Sequence, residues 1–267
     1  MIRGWYTAAS GMNAQQYRLD AISNNLANVD TTSYKRDVAV SKAFPELLIR
    51  RMRDDGEYLN PFGSADVAPI VGKVGLGVEL NELYTVFEQG SFKETGNSTD
   101  IALNGDGFLV VKTPEGERFT RNGNFFIGVE GYLETKEGFP VMGEKGPLNL
   151  GNIPFTIDKD GRIFRNDEGR EGEYIDRLAI VNFDNTRYLK KTGSSMYADT
   201  VVSGKPFSAE GAERPVVSQG FVESSNVNVV NEMVQMIEVN RAYEANQKTI
   251  QAGDTMLNKL WSEVVKV

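Results

Sequence analysis

Residues 229–264 read VVNEMVQMIEVNRAYEANQKTIQAGDTMLNKLWSEV, and the spacing of their apolar side chains decides the fold. Val229, Met236, Tyr243, Ile250, Leu257 and Val264 recur at intervals of seven, which on a helix keeps them on one seam. Companion columns carry Val239, Leu260 and Val267 on one flank and Met233, Asn240, Gln247, Asp254 and Trp261 on the other. One seam is apolar and its flank is mixed. A helix over this span is about 54 Å long at ~1.5 Å per residue, longer than a compact domain of this size usually needs, so it requires a partner. Val230, Ile237 and Val265 lie on a neighbouring column. A single antiparallel partner leaves that column uncovered, and copies are expected to pack against copies. The plainer alternative is a hairpin in which two terminal helices pair only with each other.

The other end of the chain repeats the pattern. Trp5, Met12, Leu19 and Leu26 form one column, and Ala8, Gln15, Ile22 and Val29 the column three positions on, with Gln15 as the single polar interruption. Residues 1–30 and 229–267 hold three glycines and no proline, whereas Gly, Pro, Asn-Gly and Asp-Gly punctuate the chain between them. The ends therefore read as helices and the middle as β structure. Asp100 to Leu103, the turn Asn104-Gly105-Asp106-Gly107, and Phe108 to Val111 form a strand, a glycine turn and a strand, and Arg118 to Gly123 opens the next unit. Turn signals recur at Glu130-Gly131, Lys136-Glu137-Gly138, Lys159-Asp160-Gly161 and Glu168-Gly169. The expected fold is α+β, an antiparallel coiled coil of N- and C-terminal helices plus an inserted antiparallel all-β domain. The expected boundaries are a first helix in 1–33, a partly extended linker at 34–77, a β domain at 78–221 and a last helix in 222–267. The linker mixes an apolar stretch (Ala43 to Ile49), a basic cluster (Arg50, Arg51, Arg53) and turn formers (Asn60-Pro61, Gly72 to Gly77).

Composition narrows the chemistry. The chain has 267 residues, 40% of them hydrophobic and 25% charged, and no run approaches the ~18 uncharged apolar residues of a membrane-spanning helix. The N-terminus lacks the apolar segment of a cleavable signal peptide. A net charge of −8 repels nucleic acid. Cysteine and histidine are both absent, which removes thiol and Ser-His-Asp catalysis, His-ligated haem and ordinary structural zinc.

The remaining motifs are weaker than their structural explanations. Asp158 to Ile163 resembles the middle of a calcium loop, but Thr156 stands where the first acidic ligand belongs and Asp167 where a bidentate Glu is usual, so a β-turn is preferred. Gly75-Leu76-Gly77 and Gly105-Asp106-Gly107 lack the third glycine and helix start of a dinucleotide site and read as turns. Pairs such as Glu134/Glu137 and Asp158/Asp160 are what any chain with 37 acidic residues contains by chance. The Arg50–Arg53 run is neutralised by Asp54-Asp55, and Asn97-Ser98-Thr99 fits a glycosylation acceptor pattern that is common by chance. No enzyme, metal or cofactor is expected. A calcium-dependent or carbohydrate-active β protein and a non-polymerising helical adaptor are the rival classes.

Three separated blocks resemble the bacterial flagellar axial proteins of the rod and hook. The first is Ala8 to Met12, Asp20 to Asn28 and Thr31-Thr32-Ser33-Tyr34-Lys35-Arg36. The second is Leu103 to Phe108 with Phe119 to Gly123. The third runs from Gln219 to Val229, then Glu232-Met233, Met236-Ile237 and Arg241 to Asn246. Ser33 stands where many members have Gly, so a positive φ at that turn is not expected. Asn240 stands where many have Gln. The resemblance implies paired terminal helices that form an inner tube around a channel, with the β domain outside. It also implies assembly with copies and with other rod and hook axial proteins, passage through the flagellar export apparatus, and a place in the periplasmic part of the basal body. Residues 78–221 leave little room for a hook protein's outer domains, so a rod subunit fits better, with the proximal rod favoured slightly over the distal. The subunit-interface residues expected from the seams are Trp5, Met12, Leu19, Ile22, Leu26, Val229, Met233, Met236, Ile237, Asn240, Tyr243, Gln247, Ile250, Leu257, Leu260, Trp261 and Val264.

Overall fold

A computed structural model describes residues 2–50, 70–151, 153–166, 172–209, 211 and 214–264. Arg51, Arg53, Asp54-Asp55, Asn60-Pro61, Asp167, Glu168-Gly169, Val265 and Val267 lie outside the described residues. The chain forms two compact units, one from residues 1–23, 38–83 and 233–267 and the other from 24–37 and 84–232.

The first unit is built on two helices. Helix α1 spans Ile2–Ala27 and gives it the residues up to Ser23; α2 spans Val229–Val264 and gives it those from Met233. Within this unit they lie side by side and antiparallel. The Trp5 indole occupies the space where Gly253 has no side chain, and the Asn246 amide sits against Gly11, where an added Cβ would come within 2.9 Å of Nδ2. Glycine permits this close approach and costs each helix about 1 kcal/mol of propensity relative to alanine. The covered stripe of α1 runs through Trp5, Ala8, Met12, Ala14, Leu19 and Ile22, and that of α2 through Met236, Val239, Ala242, Asn246, Ile250, Gly253 and Leu257. Both follow the three-and-four spacing of a helix face. The strands Asp37–Ala43 and Val78–Thr85 pair with each other, and Leu47–Arg50 pairs antiparallel with Ile70–Val74. The Val78 N–H donates to Ser10 Oγ at 3.3 Å, which fixes this extended segment against α1.

The second unit is β-rich. Six antiparallel strands stand in the order Lys190–Gly193, Met196–Ala198, Gly116–Thr120, Phe108–Thr113, Ile180–Asn182 and Phe207–Ser208. Residues 108–111 of the central strand Phe108–Thr113 are buried on both faces, so their apolar run needs no alternation. Leu109 packs with Ile101, Leu103, Phe125, Leu133 and Leu178, while Phe108 and Val110 pack with Phe119, Phe183, Leu189 and Tyr197. Two short pairings bring the end of this unit back to its beginning: Val216–Gln219 with Ile101–Asn104, and Phe221–Glu223 with Phe92–Glu94. Gly123 accepts the Ile101 N–H at 2.9 Å, and any Cβ at Gly123 would overlap the Ile101 carbonyl. That close backbone approach explains the glycine that ends the Phe119 to Gly123 motif.

Candidate functional site

Residue types that the sequence sets far apart converge in the second unit. Lys35, with 0% of its side chain exposed, donates from Nζ to Glu223 Oε1 at 2.5 Å and to the Glu88 carbonyl at 2.7 Å. Glu223, 1% exposed, also accepts the Gly90 N–H at 2.8 Å, and its second oxygen lies 3.7 Å from Arg121 Nη1. Arg121 in turn donates to the Gly105 carbonyl at 2.7 Å and lies over the Phe108 ring. Burial of the ammonium pulls the Lys35 pKa below its ordinary value, against the upward pull of Glu223.

A second layer surrounds this pair. Asn25 bridges backbone at two points, accepting the Asp37 N–H at 2.8 Å and donating to the Asp37 carbonyl at 2.9 Å, and its amide also reaches Glu232 at 3.4 Å. Tyr34 donates its hydroxyl to Asn25 Oδ1 at 3.2 Å. Its phenol is raised well above the usual range, first by burial and then by the Asp37 and Glu232 carboxylates. Lys191 donates to both Asp37 oxygens at 2.8 Å and sits over the Tyr34 ring, and Thr85 donates to Asp37 Oδ1 at 2.7 Å. Asn226 accepts the Arg36 N–H at 2.8 Å and donates to the Val86 carbonyl at 2.9 Å. The result is a polar clasp that ties residues 24–37 to residues 223–232. Asn228 then caps α2, its side-chain oxygen accepting the Asn231 N–H at 3.1 Å.

Ser33 corrects an expectation. It adopts φ +55, the left-handed conformation that its lack of glycine character argued against. Two hydrogen bonds hold it there: its N–H donates to the Glu223 carbonyl and its hydroxyl to the Arg121 carbonyl, both at 2.8 Å.

The expected interface residues divide by surroundings. Trp5, Met12, Leu19, Ile22, Leu26, Val229, Met236, Ile250 and Leu257 are wholly or partly covered by their own chain. Met233, Ile237, Asn240, Tyr243, Gln247, Leu260, Trp261 and Val264 are exposed. The exposed apolar face continues through Val230, Val234 and Met256. The covered residues Met236, Val239, Asn246, Ile250, Gly253 and Leu257 keep the seven-residue spacing, and the flanking column of Met233, Asn240, Gln247 and Trp261 stays exposed.

The other motifs resolve as turns. Gly161 takes φ +75, and its N–H donates to the Asp158 carbonyl at 2.8 Å between Phe155–Ile157 and Arg162–Arg165. Gly105 and Gly107 have positive φ in the turn before Phe108. Asn97 donates to Asp100 at 3.1 Å. Among the described residues no cluster of acidic side chains is arranged to hold a metal, and no helix is long and apolar enough to cross a membrane.

A unit of two antiparallel helices and a β-rich unit that holds a buried polar clasp make an α+β protein. Three family profiles match along it: Flagella basal body rod protein at residues 6–35, Flagellar hook protein FlgE/F/G D1 domain at 102–166, and Flagellar basal body rod FlgEFG protein C-terminal at 218–262. The chain is 37% identical over 265 residues to the flagellar basal-body rod protein FlgG of Buchnera aphidicola subsp. Acyrthosiphon pisum, covering 97% of this chain and 99% of the relative. It is 35% identical over 264 residues to the protein of that name from Borreliella burgdorferi, covering 96% and 97%. It is also 35% identical over 283 residues to the flagellar hook-basal body complex protein FlhO of Bacillus subtilis, covering 100% of both. The chain belongs to the flagellar basal-body rod protein family, and it is a structural rod subunit, not an enzyme. The preference for rod over hook, drawn from the size of residues 78–221, agrees with these names.

Proposed function

We propose that this subunit polymerises through its terminal helices into a hollow, torque-transmitting shaft in the periplasmic part of the basal body. The helices pair as an antiparallel coiled coil lining the channel, and the β-rich unit lies outside. One observation carries the reading: after α1 has covered one face of α2, Val230, Met233, Val234 and Ile237 remain exposed along the other. Each apolar side chain of this size contributes roughly 1.5–3 kcal/mol when fully buried. Several such contacts repeated with every neighbour make a stiff shaft from individually modest pairings. A heterologous contact of this kind extends without closing. The partners are copies of this chain and other rod and hook axial proteins, and the chain passes through the flagellar export apparatus on its way to them.

The test is Ile237→Asp, on the exposed face. The expected result is a chain whose β-rich unit keeps its amide protection, which is exported, and which leaves cells non-motile with rods that lack it. Normal motility and normal incorporation of this chain would refute the reading. Concentration-dependent sedimentation of the unmodified chain separates polymerisation from a one-to-one adaptor role.

A further inference from the structure

We propose that Asn25, Asp37, Thr85 and Glu232 form a joint that ties every passage of the chain between its two units into one hydrogen-bonded cluster, so that the four passages loosen together or not at all. The chain passes from one unit to the other at residues 23/24, 37/38, 83/84 and 232/233. Each of the four side chains stands within two residues of one passage, and all four belong to the second unit. Asp37 is the keystone. Its N–H donates to Asn25 Oδ1 at 2.8 Å, its carbonyl accepts from Asn25 Nδ2 at 2.9 Å, and its Oδ1 accepts the Thr85 hydroxyl at 2.7 Å. Asn25 Nδ2 also reaches Glu232 Oε2 at 3.4 Å. With the Tyr34 hydroxyl as a further donor to Oδ1, the Asn25 amide uses both of its donors and both of its acceptor positions. Backbone adds a tie between the second and third passages, where the Val86 N–H donates to the Arg36 carbonyl at 2.9 Å.

Burial makes the cluster act as one. Asn25, Thr85 and Glu232 are 2%, 7% and 3% exposed, so a polar group that loses its partner there has no water to replace it. Lys191 fixes the cluster to the six-stranded sheet. From the edge strand Lys190–Gly193 its ammonium donates to both Asp37 oxygens and to the Lys35 carbonyl, all at 2.8 Å. The Glu232 carboxylate stands in the first turn of α2, where the helix N-terminus favours a negative charge. In a rod subunit the four passages are the covalent routes by which load crosses from one unit to the other, and tying them at one point makes the routes share it.

Thr85→Val removes one hydroxyl and keeps the outline of the side chain. Hydrogen exchange is followed by NMR on the full chain in dilute solution at the amides of Asp37, Val86 and Glu232, whose acceptors are Asn25 Oδ1, the Arg36 carbonyl and the Asn228 carbonyl. The expected result is a rise by one common factor, about tenfold, at all three, with the amides of residues 108–111 at their parent rates. Thr85→Ser, which keeps the hydroxyl, is expected to exchange as the parent does. A rise confined to Asp37 and Val86 would overturn the joint, because it would show the passages loosening separately. So would unchanged exchange at all three, an equal rise at residues 108–111, an equal rise in Thr85→Ser, or unprotected exchange at these amides in the unmodified chain. Should Thr85→Val fail to fold, Glu232→Ala, read at Asp37 and Val86, tests the cluster from its other side with the same outcomes. The joint is a property of the folded chain alone, so its failure leaves the rod reading untouched, whereas absence of the chain from basal bodies would overturn the rod reading and leave the joint standing.

Discussion

Replacing Lys35 by Met removes the cation at the centre of the clasp while keeping its length and apolar stem. The ammonium is fully buried and makes two hydrogen bonds, to Glu223 Oε1 and the Glu88 carbonyl. After the change the Glu223 carboxylate stays buried, with the Gly90 N–H at 2.8 Å and Arg121 at 3.7 Å as its remaining support. Breaking a buried pair on one side costs about 3–5 kcal/mol. Arg121 offsets part of the lost charge, which places this variant near the lower end, about 3 kcal/mol. At ~1.36 kcal/mol per tenfold, that is a rise of roughly 150-fold in hydrogen exchange of the core amides at 108–111, if they open with the whole second unit. The double variant Lys35→Met/Glu223→Met removes both charges and is expected to cost less than the two single changes added together. The two tryptophans, Trp5 and Trp261, both lie in the first unit, so their fluorescence monitors that unit separately. A loss below 1 kcal/mol in the Lys35→Met variant, or strict additivity in the double variant, would refute the clasp as a coupled buried pair.

Other consequences are open to measurement. Gly253→Val fills the space of the Trp5 indole, and displacing it costs about 1–3 kcal/mol as overpacking; the expected readout is a red shift of tryptophan emission, which an unchanged spectrum would contradict. Gly123→Ala drives a methyl group into the Ile101 carbonyl, and a melting temperature unchanged from the parent would show that this backbone contact is absent. Tyr34 and Tyr197 have phenol pKa values raised above the ordinary 10 chiefly by burial. The folded chain therefore keeps these protons where the unfolded chain releases them, and their contribution is complete below pH 10 and lost as pH rises beyond it. Absorbance titration should show these two ionising only with unfolding, and their titration alongside exposed tyrosines in the folded chain would contradict the burial.

The terminal helices were legible because a helix face leaves a three-and-four rhythm, and Val229 to Val264 carries that rhythm without proline. The fit between the two helices was not: Asn246 and Gly253 fall on the same seven-residue column as Val239 and Leu260, but nothing in the spacing tells that a glycine there admits the Trp5 ring. Short strands around Phe108 were readable from the flanking Gly-rich turns and the apolar run. The clasp could not be found by pattern, because Lys35 and Glu223 are 188 residues apart and neither charge looks unusual among its neighbours. The family-like blocks containing Asn25, Tyr34-Lys35 and Asn226 were the only signal, and that signal marked the residues without revealing that they meet. Ser33 shows the same limit: a hydrogen-bonded left-handed serine has no local signature that distinguishes it from an extended one.

The distance between the two halves of the clasp also sets a timetable. A chain that emerges from its N-terminus presents Lys35 188 residues before Glu223, and Asn25 207 residues before Glu232. Until then the closing strand Phe221–Glu223 is missing as well. The lock that finishes the β-rich unit is therefore delivered after all the strands it closes over, so that unit cannot be completed while its chain is still growing through them.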